Sequence, residues 1–339
     1  MKTALAGQIA RALAVFCVDE VIIFDDGSDA LRNKHQDPEL TTADRESGYT
    51  AFNDPNHFLF HILSYLETPP QFRRLLFPYH PNLRTAGALN SLDMPHHLRV
   101  NEWCQYREGV TIAESAASVG SKKSRDAKFC TDHTVQPSKK RKTSKDSMAK
   151  DRAAQSTLVD AGFPDPVTIP TQIPPSTRVT LKFPFALPPT TFHDLHADAV
   201  SPDAPREEAG YYWGFVPRAA SSPSTIFTEC PYEGGYDFSI GTSERGRPLK
   251  ELLHTAITPK WQHLLITFGG LGGLETAVAN DQKLIDKGIK FPSELFDAWI
   301  NLVEGQGSRT IRTEEAVWIG LMGLKDFIAA NGNNEPDNT

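Results

Sequence analysis

The sequence predicts a mixed α/β fold with a small β-barrel in the middle of the chain. From Tyr236 onward, short apolar strands alternate with glycine-rich loops and helices, which is the pattern of an α/β fold. After His97, short strand-like runs are separated by Pro- and Gly-rich turns, as in small barrels. At 339 residues the chain is long enough for two domains of ordinary size.

The N-terminal part predicts helices around one buried strand. Its first helix is Ala-rich with apolar residues at helical spacing, and it runs into a β-branched strand that ends in an Asp/Gly/Ser turn. A later amphipathic helix is stopped by Thr68-Pro69-Pro70, and the polar stretch 29–50 predicts a loose excursion. The expected elements are a helix at 3–18, a strand at 21–24, and helices at 57–66 and 71–76.

The middle part predicts barrel strands and a basic insertion. The strand-like runs lie at 109–112, 167–169, 178–183 and 211–216, and residues 114–155 are Ser/Lys-rich sequence that we expect to be disordered. Between Lys122 and Arg152 the insertion holds 11 Lys or Arg against 4 Asp or Glu, on a chain whose net charge is −7. The run Lys139, Lys140, Arg141, Lys142 resembles a nuclear-import signal, and a merely solvated charge run is the alternative.

The composition argues against several classes of protein. No apolar run approaches the roughly 20 residues of a membrane span, and residues 1–16 do not have the pattern of a signal peptide. The four cysteines lie far apart without a C-x-x-C pair, so we expect no zinc site and no disulfide scaffold. We therefore expect no metal and no membrane partner.

The C-terminal part predicts strands that lead into three glycine-rich loops. The expected elements are strands at 236–240 and 263–268 and helices at 274–287 and 313–330, and residues 297–301, a strand or its equivalent, lead into the third loop. The loops are Gly241–Gly246, Gly269–Gly273 and Gly305–Thr310. Because ligands favour loops at the carboxyl ends of strands, we expect one shared pocket, although a tight turn is the alternative for each loop alone. Neither G-x-G-x-x-G nor a phosphate-binding G-x-x-x-x-G-K-[ST] is present.

Five runs along the chain are similar to motifs of a known family. They are Gly7–Ala12, Leu92–His97, Tyr236–Gly246, Phe268–Glu275 and Gly305–Glu315. Together they resemble the SPOUT-class RNA methyltransferases of archaea and eukaryotes that carry an OB-like insertion. The resemblance covers nearly the whole chain except the basic insertion.

The resemblance implies both an architecture and a cofactor. A discontinuous SPOUT methyltransferase domain with a trefoil knot would occupy 1–97 and 221–332, an OB-like barrel with its disordered loop would occupy 98–220, and 333–339 would be a disordered tail. The knot would bind S-adenosylmethionine, and a homodimer would complete the RNA site. By motif, the cofactor residues would be Arg245, Gly269, Gly270, Asn301, Gln306, Gly307, Ser308, Thr310 and Ile311.

Two departures from the family pattern accompany the resemblance. Family members carry a strand before the segment that matches Met1–Arg11, so we expect either a late-starting sequence or a sheet without that strand. Leu302-Val303-Glu304 stands where Thr-Cys-Pro is usual, which predicts an altered rim of the third loop.

Several side chains are candidates for holding the RNA. Arg11 lies on an otherwise apolar helix and is our candidate for substrate positioning, with a structural salt bridge to Glu20 or another acid as the alternative. Arg309, Arg312 and the run 139–142 could contact RNA phosphates. Aromatic residues of the barrel could stack on bases, or simply pack; they are Trp103, Tyr106, Tyr211, Tyr212 and Trp213. His96-His97 predicts a structural turn.

The sequence therefore predicts an S-adenosylmethionine-dependent RNA methyltransferase. We expect it to act on ribosomal or another structured RNA in the nucleus, with the nucleolus and the cytoplasm left open. A catalytically inactive RNA-binding or assembly-adaptor protein with the same fold is the alternative.

Overall fold

A computed structural model describes residues 2–27, 48–113, 156–254 and 260–332. They form two compact units. Unit 1 comprises Met1–Thr68, Phe77–Met94 and Gly214–Thr339, and unit 2 comprises Pro69–Leu76 and Pro95–Trp213. The predicted disordered loop 114–155, its basic run at 139–142, the tail 333–339 and most of the excursion 29–50 lie outside the described residues.

The described elements follow one another along the chain in this order. The helices are α1 Lys2–Val15, α2 Pro55–Glu67, α3 Arg73–Leu76, α4 Ala204–Ala209, α5 Pro223–Thr228, α6 Leu249–Leu253, α7 Gly273–Asn280, α8 Gln282–Asp286 and α9 Thr313–Asn331, with 3-10 turns at Pro81–Leu83, Ala86–Ala88 and Pro292–Glu294. The strands are β1 Glu20–Phe24, β2 Tyr106–Ile112, β3 Thr157–Asp160, β4 Val167–Ile169, β5 Arg178–Lys182, β6 Asp198–Val200, β7 Val216–Ala220, β8 Phe238–Pro248, β9 Leu264–Thr267 and β10 Ala298–Asn301.

Unit 1 begins with the predicted helices and strand. In α1, small side chains such as Ala6 and Ala10 are buried, which lets neighbouring elements approach closely. Helix α2 begins where the Asp54 side chain accepts the His57 N–H, with Pro55 in its first turn, and it ends before Pro69. Strand β1 confirms the prediction and pairs in parallel with β7.

The strand predicted at 211–216 is wrong. Residues 211–215 lie outside any strand, and the strand of this region is β7, which begins at Val216 and pairs with β1. Trp213 and Phe215 are buried, while Gly214 between them has φ +100°. The sequence showed apolar alternation there, but the side chains are buried by tertiary packing rather than by a sheet.

The second sheet of unit 1 is parallel, in the order β10–β8–β9. Leu324 and Phe327 of α9 pack in one cluster with Phe238, Ile240 and Ile300 of this sheet. A second cluster joins Leu265 of β9 to Leu274 of α7 and to Ala220 of β7. The parallel sheet is therefore covered by helices, as parallel sheets in α/β proteins generally are.

The helix predicted at 274–287 is two helices. Asp281 separates α7 from α8, and its side chain caps α8 by accepting from the N–H groups of Lys283 and Leu284. It also accepts from Ser224 N at 2.7 Å. Because Asp is a strong N-terminal cap of helices, the sequence could have predicted that a new helix begins after Asp281.

Unit 2 contains a five-stranded antiparallel sheet in the order β4–β3–β2–β5–β6. Predicted strands at 109–112, 167–169 and 178–183 are confirmed with small shifts, whereas β3 and β6 were not predicted. The core of the sheet is apolar and includes Val159, Val167, Ile169, Leu181 and Phe183.

Strand β2 buries two adjacent charged residues, and each makes several hydrogen bonds. Arg107 is 1% exposed and donates to the carbonyls of Ala161 (2.7 Å), Glu102 (2.8 Å) and Arg99 (2.8 Å). Glu108 accepts from three side chains, those of Arg178, Thr180 and Trp213. Because their hydrogen-bond partners lie within unit 2, both residues support the fold of that unit.

Candidate functional site

The three segments predicted to form one pocket meet at one edge of the β10–β8–β9 sheet. Because the strands are parallel, their carboxyl ends share that edge. The second segment, Gly269–Gly273, follows β9 and leads into α7. The third, Gly305–Thr310, follows β10 and leads toward α9.

The first segment, Gly241–Gly246, was predicted as a loop and instead lies within β8. Gly241 pairs with Trp299 and Arg247 with Ile300, so the five residues 242–246 lie between two adjacent pairs. We call residues 242–246 the β8 bulge. A bulge of this kind aims side chains away from the ladder while the sheet continues beyond it.

Glycines fix where the β8 bulge leaves and rejoins the sheet. A methyl group on Gly241 would lie 2.5 Å from the Phe296 ring and 2.7 Å from the Trp299 ring. One on Gly246 would lie 2.3 Å from the carbonyl carbon of Ile300. Neither site has room for a side chain, so both glycines are required by close packing.

Hydrogen bonds tie the β8 bulge to the other two segments. Asn301 Nδ2 donates to the carbonyl of Glu244 at 2.9 Å, and this bond links the bulge to the end of β10. Ser243 Oγ donates to Glu275 Oε1 at 2.9 Å, which links the bulge to the first turn of α7. Arg245 Nη1 lies 3.9 Å from the same Glu275 oxygen.

The second segment is held between β8 and α9. Thr313 Oγ1, at the start of α9, donates to the carbonyl of Gly269 at 3.2 Å. A methyl group on Gly269 would lie 2.9 Å from Gly273 Cα, so the turn into α7 is tight. Thr242 Oγ1 donates to the carbonyl of Thr267, whereas the buried Thr267 Oγ1 has no partner among the described residues.

The third segment is ordered by its own side chains and remains open to solvent. Gln306 Nε2 donates to the carbonyl of Ser308, and Ser308 Oγ donates to the carbonyl of Thr310. Apart from the adjacent residues in sequence, no atom of the described residues lies within 4 Å of where a side chain would begin at Gly305 or Gly307. In the described part of the chain, no hydrogen bond is donated by the main-chain N–H groups of Gly305, Gly307 and Ile311.

These features fit the demands of S-adenosylmethionine. An adenine edge and ribose hydroxyls need hydrogen-bonding groups at close range, and open glycines with unpaired N–H groups offer them. The orphaned Thr267 hydroxyl is a further group at the carboxyl end of β9. The structure thus joins Arg245 and Asn301 through the β8 bulge and places Gly269 against the start of α9, and the role of the predicted cofactor residues in binding stays a prediction.

A fourth segment at this edge was missed by sequence reasoning. The turn after β1, at Asp25–Gly27, lies against α7: Asn280 Nδ2 donates to the carbonyl of Asp26 at 3.0 Å. Asp26 Oδ2 would lie 3.4 Å from a methyl group on Gly270. The sequence predicted this turn, but nothing in it placed the turn beside the second segment.

Arg11 makes contacts that neither sequence alternative described. Its Nη1 donates to the carbonyls of Leu92 at 2.6 Å and Ser91 at 3.4 Å. The guanidinium thus holds one of the family-like runs, Leu92–His97, at its start. Its predicted role in positioning substrate stays a prediction, as do the RNA contacts of Arg309 and of Arg312, both of which are exposed.

The opposite, amino edge of unit 1 carries a polar network. Tyr236 donates to Glu20 Oε2 at 2.5 Å, and Arg218 Nε donates to Glu20 Oε1 at 2.6 Å. Burial and the hydrogen bond to Glu20 raise the pKa of Tyr236, so its hydroxyl stays protonated. The network joins β1, β7 and the residues before β8, while the buried Arg218 Nη1 has no partner among the described residues.

Two of the predicted stacking aromatics are packing residues. Tyr106 and Trp213 are buried, and they donate to Glu208 and Glu108 respectively. Trp103 is half-buried and packs against Phe163 and Phe185, whereas Tyr211 is exposed. His96-His97 forms the predicted turn, with His96 buried beside the Trp213 ring.

Two absences concern the described residues alone. Within them, no group of three His, Cys, Asp or Glu side chains is arranged to hold a metal ion. In the same ranges, no helix is both long enough and apolar enough to cross a membrane.

Known proteins similar to this chain have names that concern RNA methylation. A family model described as "Putative RNA methyltransferase" matches residues 1–324. A Homo sapiens protein named 28S rRNA (uridine-N(3))-methyltransferase is 37% identical over 98% of this chain and 75% of its own length. Proteins of the same name from Drosophila melanogaster (38%) and Mus musculus (37%) match 96% and 98% of this chain, and 58% and 73% of their own lengths.

Proposed function

Since this chain belongs to the RNA methyltransferase family whose model spans residues 1–324, we propose that it methylates N3 of a uridine in large-subunit ribosomal RNA, with S-adenosylmethionine as methyl donor. The observation that carries the proposal is the 37–38% identity to proteins of that named activity over nearly the whole chain.

The geometry of the carboxyl edge supports this function. Segments distant in sequence lie at this edge, and within the described residues the N–H groups of Gly305 and Gly307 donate no hydrogen bond. The donor supplies an activated methyl group, and uridine N3 gives up its proton to solvent as the new N–C bond forms. The chain has to hold donor and base in line and exclude other nucleophiles. Glycine-rich segments pinned by Asn301 and Thr313 are suited to such positioning.

The finer architecture is part of the same proposal. We assign the C-terminal part of unit 1 to a SPOUT trefoil knot, supported by the parallel order β10–β8–β9 and by the similarity of the glycine-rich runs. The antiparallel sheet of unit 2 is proposed as the OB-like insertion. A homodimer and nuclear or nucleolar action follow from the same resemblance and from a ribosomal substrate.

The proposal is tested with the purified full-length chain, S-adenosylmethionine and large-subunit ribosomal RNA. We expect transfer of the methyl group and the appearance of 3-methyluridine by mass spectrometry of nucleosides. Gln306→Ala should lower kcat/KM for the donor by about tenfold, because Gln306 orders the third segment. Gln282→Ala, an exposed glutamine on α8, is the matched control and should have no effect.

Two outcomes would contradict the proposal. Methylation of a different atom or base would overturn the assignment to uridine N3. Donor binding without transfer to any RNA would favour the alternative, an RNA-binding or assembly-adaptor protein with the same fold.

A further inference from the structure

Glu275 is the residue that joins the second segment of the edge to the β8 bulge. It lies in the first turn of α7, and its Oε1 accepts the Ser243 hydroxyl at 2.9 Å while Arg245 Nη1 lies 3.9 Å away. Its other oxygen would lie 2.5 Å from a methyl group on Gly273, which has φ +72°. The glycine therefore leaves the space that this carboxylate occupies.

The contacts form a chain that ends on Arg245. The main-chain N–H of Arg245 donates to Ser243 Oγ at 3.2 Å, and that hydroxyl donates onward to Glu275. The Arg245 side chain is 73% exposed and the Glu275 side chain 30% exposed. A long exposed arginine would otherwise populate many rotamers, so a carboxylate beside it restricts where the guanidinium can lie.

We propose that Glu275 is a positioning residue that holds the Arg245 guanidinium at the cofactor site, by its charge beside that guanidinium and by the hydrogen bond that it accepts from Ser243 in the β8 bulge. This inference rests on the proposed function, because it takes Arg245 as a contact of the bound donor. An exposed ion pair adds little to folding. The loss of Glu275 should therefore be seen in donor binding rather than in the stability of the chain.

The test separates the charge of Glu275 from its hydrogen bond. Glu275→Gln keeps an acceptor for Ser243 and removes the charge next to Arg245, whereas Glu275→Ala removes both. We expect Glu275→Gln to raise the Kd for S-adenosylmethionine, measured by calorimetry, about threefold, and Glu275→Ala about tenfold. At saturating donor, kcat should stay within about twofold, because the effect is on binding.

A double substitution tests whether Glu275 acts through Arg245. In an Arg245→Ala background, Glu275→Gln should have no further effect on the Kd, since the group that it positions is gone. Glu294→Gln is the matched control: this glutamate caps a 3-10 turn before β10, at the other edge of the sheet, and should leave the Kd unchanged. Melting temperatures should be alike for Glu275→Gln and the unchanged chain.

The possible outcomes distinguish this inference from the function on which it rests. If the unchanged chain fails to bind S-adenosylmethionine, the proposed function fails and the inference falls with it. If the unchanged chain binds and Glu275→Gln binds equally well, or weakens binding by the same factor in both backgrounds, only the inference is overturned. Glu275→Asp keeps the charge on a shorter side chain. Its Kd should lie between those of the unchanged chain and Glu275→Ala.

Discussion

The carboxyl edge of the parallel sheet and the interior of the antiparallel sheet both carry arginine and glutamate, but the two regions use them in opposite ways. In unit 2, Arg107 is 1% exposed and donates to several main-chain carbonyls. In unit 1, the Arg245 side chain is 73% exposed and has one carboxylate 3.9 Å away. A polar group satisfied inside the protein supports the fold, and one left open to solvent is available to a ligand.

The two glutamates repeat the contrast. Glu108 is 3% exposed and accepts hydrogen bonds from three side chains, so it has little capacity left for anything else. Glu275 accepts from Ser243 and remains half-buried at the edge. Both units therefore contain ordered charges, and those at the edge in unit 1 remain accessible to solvent.

The strongest test of this contrast is to remove each arginine. Burial lowers the pKa of Arg107 to about 10, which still leaves it charged at neutral pH, so Arg107→Met removes a buried cation and leaves its carbonyls unsatisfied. We expect a loss of about 3 kcal/mol or more in the free energy of unfolding, measured in urea. Arg245→Met should cost less than about 0.5 kcal/mol. Equal losses would remove the distinction between the two regions.

A pair of glycines tests the contrast within the edge itself. Gly246→Ala should destabilise the protein by about 1–3 kcal/mol, because the methyl group would lie 2.3 Å from the backbone of Ile300. Gly307→Ala meets open space, so stability should be unchanged within about 0.5 kcal/mol while the Kd for S-adenosylmethionine rises. Gly87→Ala, which also meets open space, is the control for binding. Full affinity in Gly307→Ala would show that this glycine does not face the donor.

The smallest expected effect concerns the pH dependence of stability. One histidine in each unit contributes to it, with opposite sign. Burial, followed by repulsion from His80 and His57, lowers the pKa of His61 in unit 1. His61 therefore binds a proton less readily in the folded chain than in the unfolded chain. Its contribution to the free energy of unfolding is lost as the pH falls below about 6.5. In unit 2, the hydrogen bond to Asp165 raises the pKa of His193, so its contribution is present at low pH and lost as the pH rises.

Urea unfolding at about pH 7.5 and about pH 5.5 measures both contributions. His61→Gln should reduce the loss of stability on acidification, and His193→Gln should increase it. The same pH dependence in both variants would mean that neither histidine is coupled to folding as its surroundings indicate.

The sequence predicted the elements of unit 1 where the pattern was local. Val21 to Phe24 is a β-branched and aromatic run that becomes β1, and the glycine-rich turns after β9 and β10 lie where predicted. The β8 bulge was predicted as a loop because Gly241–Gly246 is rich in Gly, Ser and Thr and follows a buried strand. The strand that pairs across its ends lies more than 50 residues further along the chain, so the pairing has no local signature.

In unit 2, the sequence did not predict which charged residues are buried. The strand predicted at 109–112 left out Arg107 and Glu108, because charged residues are rarely buried. Their burial depends on carbonyls and side chains up to 105 residues away, as between Glu108 and Trp213. The motifs named candidate cofactor residues, whereas contacts between distant residues, such as that of Glu275 with Ser243, could only be found in three dimensions.

The number of residues in the β8 bulge can change without a change in the register of the sheet. Trp299 and Ile300 are consecutive on β10, so the pairs with Gly241 and Arg247 do not depend on how many residues lie between those two positions. Insertions or deletions within 242–246 would therefore reshape the rim of the edge and leave the ladder in place. A single insertion elsewhere in β8 would turn every following side chain to the opposite face.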